Sequence, residues 1–161
     1  MFERLAADYD VVGYFHNPNI HPLEEYVRRA EEAKRVGRIL GFTLEPALYA
    51  PDAWDRAVAG LENEPETGAR CTACFRHNLM AAAAKARELK IYWFTTTLTI
   101  SPHKSSARIF EIGREAAAAH GVRFLETDFK KKDGFKRSLE MSKELNLYRQ
   151  NYCGCKYSLR S

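Results

Sequence analysis

The chain has 161 residues, 45% of them apolar and 29% charged, and 25 Lys and Arg against 21 Asp and Glu give a formal net charge of +4. This is globular composition, which excludes a disordered chain, and it fits one domain over residues 1–161 by the usual span of roughly 100–200 residues. No apolar run reaches the ~18 residues of a membrane span and no charged-then-apolar leader is visible, so the expectation is a cytoplasmic protein with no membrane partner.

Met1 to Ala7 is a helix-like scrap, and Phe2 and Leu5 read as the last turns of a crossover helix whose strand is not present. Val11 to Phe15 is a β-favouring run that ends in the turn signal Asn17-Pro18-Asn19. Pro22 opens a helix with Glu24 and Glu25 in its first turn, where carboxylates suit the positive helix end. Val27, Ala30, Val36 and Leu40 give this helix an apolar stripe, and Gly41 is placed to cap it. Phe42 to Glu45 reads as a second strand stopped by Pro46, and Asp52 as the cap of a short helix carrying Trp54 and Val58.

Glu62 to Ala69 has no apolar period and reads as a loop. A helix is expected from about Cys71 to Leu89, with Phe75, Leu79, Ala82, Ala83 and Ala86 on one face. Ile91 to Thr97 is the strongest strand signal, and its unbroken hydrophobicity predicts burial on both faces. Ser105 is placed to cap a helix to about His120 with Ile109, Ile112 and Ala116 inward. Val122 to Leu125 is the next strand, and a last helix runs from about Phe135 to Leu145.

Alternating strands and helices predict an α/β fold: a parallel sheet with helices on both faces, Rossmann-like and similar in layout to adenine-nucleotide α-hydrolases, lacking an N-terminal strand. In such sheets ligands lie beyond the carboxyl ends of the strands. That rule gathers three segments: Asn17 to His21, Thr95 to Lys104, and Asp128 to Lys132. Asn17, Asn19 and His21 fall in the first. The second offers the hydroxyls of Thr95, Thr96, Thr97 and Ser101 for a phosphate, ribose or base edge, followed by Lys104.

The chemistry concentrates in four cysteines. Cys71-Thr72-Ala73-Cys74 puts two thiols on one face at a helix start, where free backbone N–H groups favour thiolate. Arg70 beside them is expected to add positive charge. Such a pair suits an iron–sulfur cluster, zinc or a redox disulfide. Cys153-Gly154-Cys155 can close only a tight, easily reduced disulfide, or it completes a four-cysteine metal site with Cys71 and Cys74. Tyr148, Arg149 and Gln150 lead into it, with aromatic and guanidinium groups suited to a nucleobase and a phosphate. Lys130 to Lys132, Lys136, Arg137, Arg149, Lys156 and Arg160 concentrate the basic charge late in the chain.

Several motifs in one order carry a resemblance: Tyr14-Phe15-His16-Asn17-Pro18-Asn19-Ile20-His21-Pro22, Arg70-Cys71-Thr72-Ala73-Cys74-Phe75, Phe94 through Lys104, Phe124 through Lys131, and Tyr148 through Cys155. Together they resemble the QueH type of epoxyqueuosine reductase over nearly the whole chain. The resemblance implies an oxidoreductase for the last step of queuosine biosynthesis, reducing an epoxide at the tRNA wobble position to a cyclopentene with loss of water. It implies a 4Fe-4S cluster held by Cys71, Cys74 and an adjacent cysteine pair near the N-terminus, Cys153 and Cys155 as the redox disulfide, and an external electron donor. His21 or Asp128 would be the acid. The adjacent pair and its strand are absent from this sequence, so the chain as it stands is expected to hold half of the ligands, to be incomplete and to be inactive by itself. The alternative is a zinc module with Cys71, Cys74, Cys153 and Cys155 as ligands and a structural or RNA-binding role. A nucleotide-binding enzyme ranks below both, because no glycine-rich phosphate loop is visible.

Overall fold

A computed structural model describes residues 1–159, so Arg160 lies outside the described residues. The protein is α/β, and its residues fall into two compact units: Met1–Arg56 with Glu140–Ser161, and Ala57–Leu139.

The first unit opens with the four-residue helix α1, Phe2–Leu5. Strand β1, Val12–Phe15, pairs in parallel with β2, Thr43–Pro46, so that Gly13 lies opposite Leu44. Between them runs α2, Leu23–Leu40, which ends on Gly41 at φ 78°, a left-handed conformation that suits glycine. The expected inward stripe of α2 is corrected here. Val27 is 48% exposed, whereas Glu25 and Arg29 are each only 9% exposed. Polar groups win the interior because each of them finds a partner there, and a satisfied polar group can be buried. Helix α3, Pro51–Val58, begins one residue before the expected cap. Proline suits a first helical position, so Asp52 falls in the first turn.

The second unit holds α4, Ala69–Glu88, and α5, Ser106–His120, packed with β3, Trp93–Phe94, and β4, Arg123–Phe124. Ala83 and Ala116, both fully buried, carry only a methyl into the core, while Phe75, Leu79, Ile109, Ile112, Phe94 and Phe124 fill the rest. Ser105 caps α5 as expected, its hydroxyl accepting from Arg108 N at 3.4 Å. Helix α6, Gly134–Glu144, follows.

The strands are shorter than expected, and they pair two and two in parallel rather than as one sheet among the described residues. The long run at Ile91 to Thr97 yields only Trp93–Phe94 as strand, and it is not buried on both faces: Tyr92 is 55% and Trp93 37% exposed. The Arg123 guanidinium covers both rings, at 5.0 and 5.4 Å. Beyond Phe94 the threonine hydroxyls take over from the ladder. Thr95 Oγ1 donates to Leu125 O at 2.9 Å, and Thr96 Oγ1 accepts from Leu98 N at 3.2 Å to start the 3-10 turn Thr97–Ile100. No helix among the described residues is long and apolar enough to cross a membrane.

Gly113 of α5 is where the Phe124 ring seats, and an added Cβ would overlap Phe124 Cγ, Cδ1 and Cε1. Gly113→Ala is expected to lower stability by about 1–2 kcal/mol, overpacking outweighing the better helix propensity of alanine. Urea unfolding should show a lower midpoint at unchanged slope.

Candidate functional site

In the second unit, Cys71 and Cys74 lie in the first turns of α4, one turn apart, half-buried and not in a disulfide. Cys71 Sγ accepts from Thr67 N at 3.2 Å, and Cys74 Sγ accepts from Asn78 Nδ2 at 3.5 Å. Arg70 does not serve these thiols as expected. Its side chain is only 4% exposed as a residue and donates to the carbonyls of Leu61 at 3.3 Å, Glu62 at 2.8 Å and Glu64. It fastens the loop that enters α4. The cation bound beside the pair is Arg108, which donates to Thr67 O at 2.7 Å and Thr72 Oγ1 at 3.2 Å. Thirty-six residues separate Arg108 from Thr72, and no local pattern signals the contact. His77, one helical turn beyond Cys74, has its pKa pulled below the usual histidine value by burial.

The loops after β3 and β4 are sewn together. Thr99, 1% exposed, donates from Oγ1 to Thr127 O at 2.9 Å and accepts from Phe129 N at 3.3 Å. Ser101 Oγ accepts from His103 N at 3.3 Å, so the hydroxyls of Thr96 and Ser101 are engaged within their own loop and that of Thr95 across to the neighbouring one, while Thr97 is exposed. Lys104 Nζ stands 5.7 Å over the Phe75 ring. Asp128 Oδ1 is buried without a hydrogen bond, and the Lys130 ammonium is 3.6 Å away. Lys130 Nζ itself donates to Lys104 O at 2.9 Å and Ser106 Oγ at 2.7 Å, so it is a structural cation rather than a free one. Lys131, Lys132 and Lys136 are exposed.

In the first unit, Asn17, Asn19 and His21 form the turn after β1. Asn19 and Ile20 are buried, and Tyr49 Oη donates to Ile20 O at 2.8 Å. The His21 residue is exposed, and it is its backbone that meets the cysteine loop: His21 N donates to Gly154 O at 2.8 Å, and Tyr152 Oη donates to His21 O. Burial lifts the Tyr152 pKa above the usual phenol value, with Glu25 adding to the rise, so the hydroxyl stays a donor.

Residues 145–155 form a strap along α2. Arg35 donates to Leu145 O at 2.6 Å and Asn146 O at 3.2 Å, and Tyr148 N donates to Glu32 Oε2 at 3.2 Å. The Tyr148 hydroxyl lies 3.0 Å from both Glu25 oxygens, and the Arg28 guanidinium lies 4.8 Å from the Tyr148 ring. Tyr148 is therefore bound to the strap's own support, while Arg149 and Gln150 are exposed. Arg29 donates to Cys153 O at 3.0 Å and Tyr152 O at 3.2 Å. The strap ends with Cys153 half-buried and Cys155 7% exposed, neither in a disulfide; Cys155 Sγ lies 3.5 Å from Ser158 Oγ, and Lys156 Nζ sits 2.8 Å from Asp55 Oδ1. Glu25 and Arg29 were not among the expected site residues, although their four-residue spacing in a helix is the signature of an ion pair.

Among the described residues no three of His, Cys, Asp and Glu gather in a way that could hold a metal ion. Each unit by itself offers one thiol pair. Two thiolates are half of what a 4Fe-4S cluster takes, so the residues present do not by themselves fit that cluster, and no step below passes through it. Cavities of about 320 and 240 Å³ along α2 and β2 contain none of the expected site residues.

A family profile described as epoxyqueuosine reductase QueH matches residues 1–161. The chain is 43% identical over 166 residues to the epoxyqueuosine reductase QueH of Streptococcus pyogenes serotype M1, with 98% of this chain and 64% of that protein covered. It is 38% identical over 167 residues to the one from Staphylococcus epidermidis, with 97% and 69% covered. It is 39% identical over 156 residues to the one from Acinetobacter baylyi, with 96% and 71% covered. The chain thus spans between about 64% and 71% of the length of these relatives.

Arg70→Met should leave three loop carbonyls without their donor and cost about 3 kcal/mol of stability. The loop at 61–64 should become the first site of limited proteolysis, and Cys71 should alkylate faster than in the unsubstituted protein.

Proposed function

The chain belongs to the epoxyqueuosine reductase QueH family, and from that membership we propose that it reduces the epoxide of epoxyqueuosine in tRNA, with Cys153 and Cys155 as the electron-carrying dithiol. The observation that carries the reading is the build of the Cys153-Gly154-Cys155 loop. Its backbone is tied through Tyr152 O, Cys153 O and Gly154 O, while neither of the two cysteines that flank Gly154 is joined in a disulfide.

The balance of the reaction follows from that pair. Two thiols give up two electrons and two protons as one S–S bond forms. The epoxide accepts them, both of its C–O bonds break, a carbon–carbon double bond forms, and the oxygen leaves as water. An external reductant then returns the disulfide to two thiols. Cys153, the less buried thiol, is the one that meets an incoming partner, and Cys155 is the one that closes the ring. Asp128 is the better supported of the two acids for the leaving oxygen, because it has a buried carboxylate oxygen that no hydrogen bond occupies, whereas the His21 residue is exposed.

Cys71 and Cys74 would supply two of the thiolates of a metal centre, whose remaining ligands would have to come from outside that pair. Asn17 and Asn19, together with Thr97, Ser101, Lys104, Arg149 and Gln150, are the groups that would meet the modified nucleoside and its phosphates. Lys131, Lys132 and Lys136 are the exposed cations for the tRNA backbone.

The gene encoding this chain, expressed in a bacterial strain unable to reduce epoxyqueuosine, is expected to restore queuosine in tRNA, as read by mass spectrometry of nucleosides. Cys153→Ser and Cys155→Ser should leave epoxyqueuosine accumulating. Restoration by either serine variant, or no restoration by the natural protein, overturns the reading. The triple change of Lys131, Lys132 and Lys136 to Gln should flatten the salt dependence of tRNA binding by a log–log slope of roughly 2–3.

A further inference from the structure

The cysteine loop is held by a group to which the chemistry so far gives no part. Arg29 is buried at 9% exposure, and all three of its guanidinium nitrogens are engaged. Nε donates to Glu25 Oε1 at 2.7 Å. The two terminal nitrogens reach two successive carbonyls, Cys153 O at 3.0 Å and Tyr152 O at 3.2 Å. The Tyr152 ring lies 5.0 Å from the guanidinium carbon. Glu25 is in turn fixed by the Tyr148 hydroxyl, 3.0 Å from each carboxylate oxygen. A planar fork with fixed donor directions can do this, and an ammonium cannot.

The cysteine loop is shaped to accept the fork. Gly154 has φ 122°, a conformation that side chains rarely adopt, and an added Cβ would stand 2.9 Å from Arg29 Nη1 and 3.1 Å from Ile20 Cγ1. The peptide between Cys153 and Gly154 is thus held at its oxygen by Arg29, and the next peptide is held at its oxygen by His21 N, at 2.8 Å. These bonds are made with Cys153 and Cys155 not joined in a disulfide.

We propose that Arg29, held by Glu25, is a positioning residue for the cysteine pair: it holds the peptides around Gly154 in the dithiol arrangement and so sets how readily Cys153 and Cys155 join. The proposal rests on the reading of these two cysteines as a redox pair. The step it governs is the loss of two protons and two electrons by two thiols as one S–S bond forms, with an oxidised dithiol or the epoxide as acceptor. Loosening the fork removes an interaction of the dithiol state, so the equilibrium moves toward the disulfide.

The test equilibrates the whole protein with buffers of oxidised and reduced dithiothreitol, quenches with an alkylating reagent, and reads the masses of peptides containing Cys153 and Cys155. Arg29→Met is expected to shift the equilibrium constant at least tenfold toward the disulfide, and Arg29→Lys, which keeps the charge and loses the fork, at least threefold the same way. Arg38→Gln, on the exposed side of α2, should stay within twofold of the natural protein. Should Arg29→Met not fold cooperatively, Arg29→Lys and Glu25→Gln decide the matter, each with an expected shift of at least threefold. If the natural protein forms no Cys153–Cys155 disulfide, the redox reading fails and this proposal with it. If it forms one and the folded variants stay within twofold, or shift toward the dithiol, the proposal alone is overturned.

Discussion

The first unit turns on one guanidinium. Placing Arg29 and Glu25 out of water costs several kcal/mol per ion unless each polar atom is satisfied, and here the satisfaction is shared: the carboxylate takes Nε of Arg29 and the hydroxyl of Tyr148, and the remaining Arg29 nitrogens take backbone oxygens of the strap. No member of this group can be removed without stranding another. α2 therefore carries a polar stripe, Glu25, Arg28, Arg29, Glu32 and Arg35, and residues 145–155 lie along it. The strap has no regular secondary structure between Leu147 and Gln150, so its carbonyls and amides would otherwise face water or go unpaired. Side chains of one helix stand in for the ladder the strap lacks.

The second unit solves the same problem differently. Its core is apolar, and its loops are closed by hydroxyls and by one buried cation. Thr95 and Thr99 spend their hydroxyls on carbonyls of the neighbouring loop, and Arg70 spends its guanidinium on the carbonyls that precede α4. The thiol pair of α4 is presented by a helix start whose approach is already fixed. In both units a cysteine pair sits on backbone that an arginine has immobilised, so the freedom left to each site is mostly that of the sulfur atoms themselves.

What could be read in the sequence was what local rules decide. Gly41 ends α2 in the left-handed conformation, Ser105 caps α5, and the cysteine spacings announce two thiol pairs, because each depends on neighbours a few residues away. The apolar face of α5 was legible for the same reason. The face of α2 was not. Periodicity assumes that apolar residues point inward, and that assumption fails where a strap more than a hundred residues distant supplies partners for Glu25 and Arg29. Arg70 and Lys130 read as free cations and are tied to carbonyls. The run at Ile91 to Thr97 was read as strand throughout because β propensity cannot tell a threonine that extends a ladder from one that uses its hydroxyl to leave it.

The first unit is discontinuous, and this has a consequence for how the protein is made. Residues 57–139 are contiguous, and the apolar cluster from Phe75 to Phe124 lies wholly within them, so on a ribosome that emits about 5–20 residues per second every member of that cluster is out before the strap is made. Helix α2 emerges earlier and must wait. Its partners on the strap lie as many as 124 positions later in the chain, and closing so large a loop is slow and entropically demanding. Until then Glu25 and Arg29 have only each other and water. The cysteine loop therefore takes its shape last, after the rest of the chain has been committed, and a nascent protein is the form in which its two thiols are least constrained.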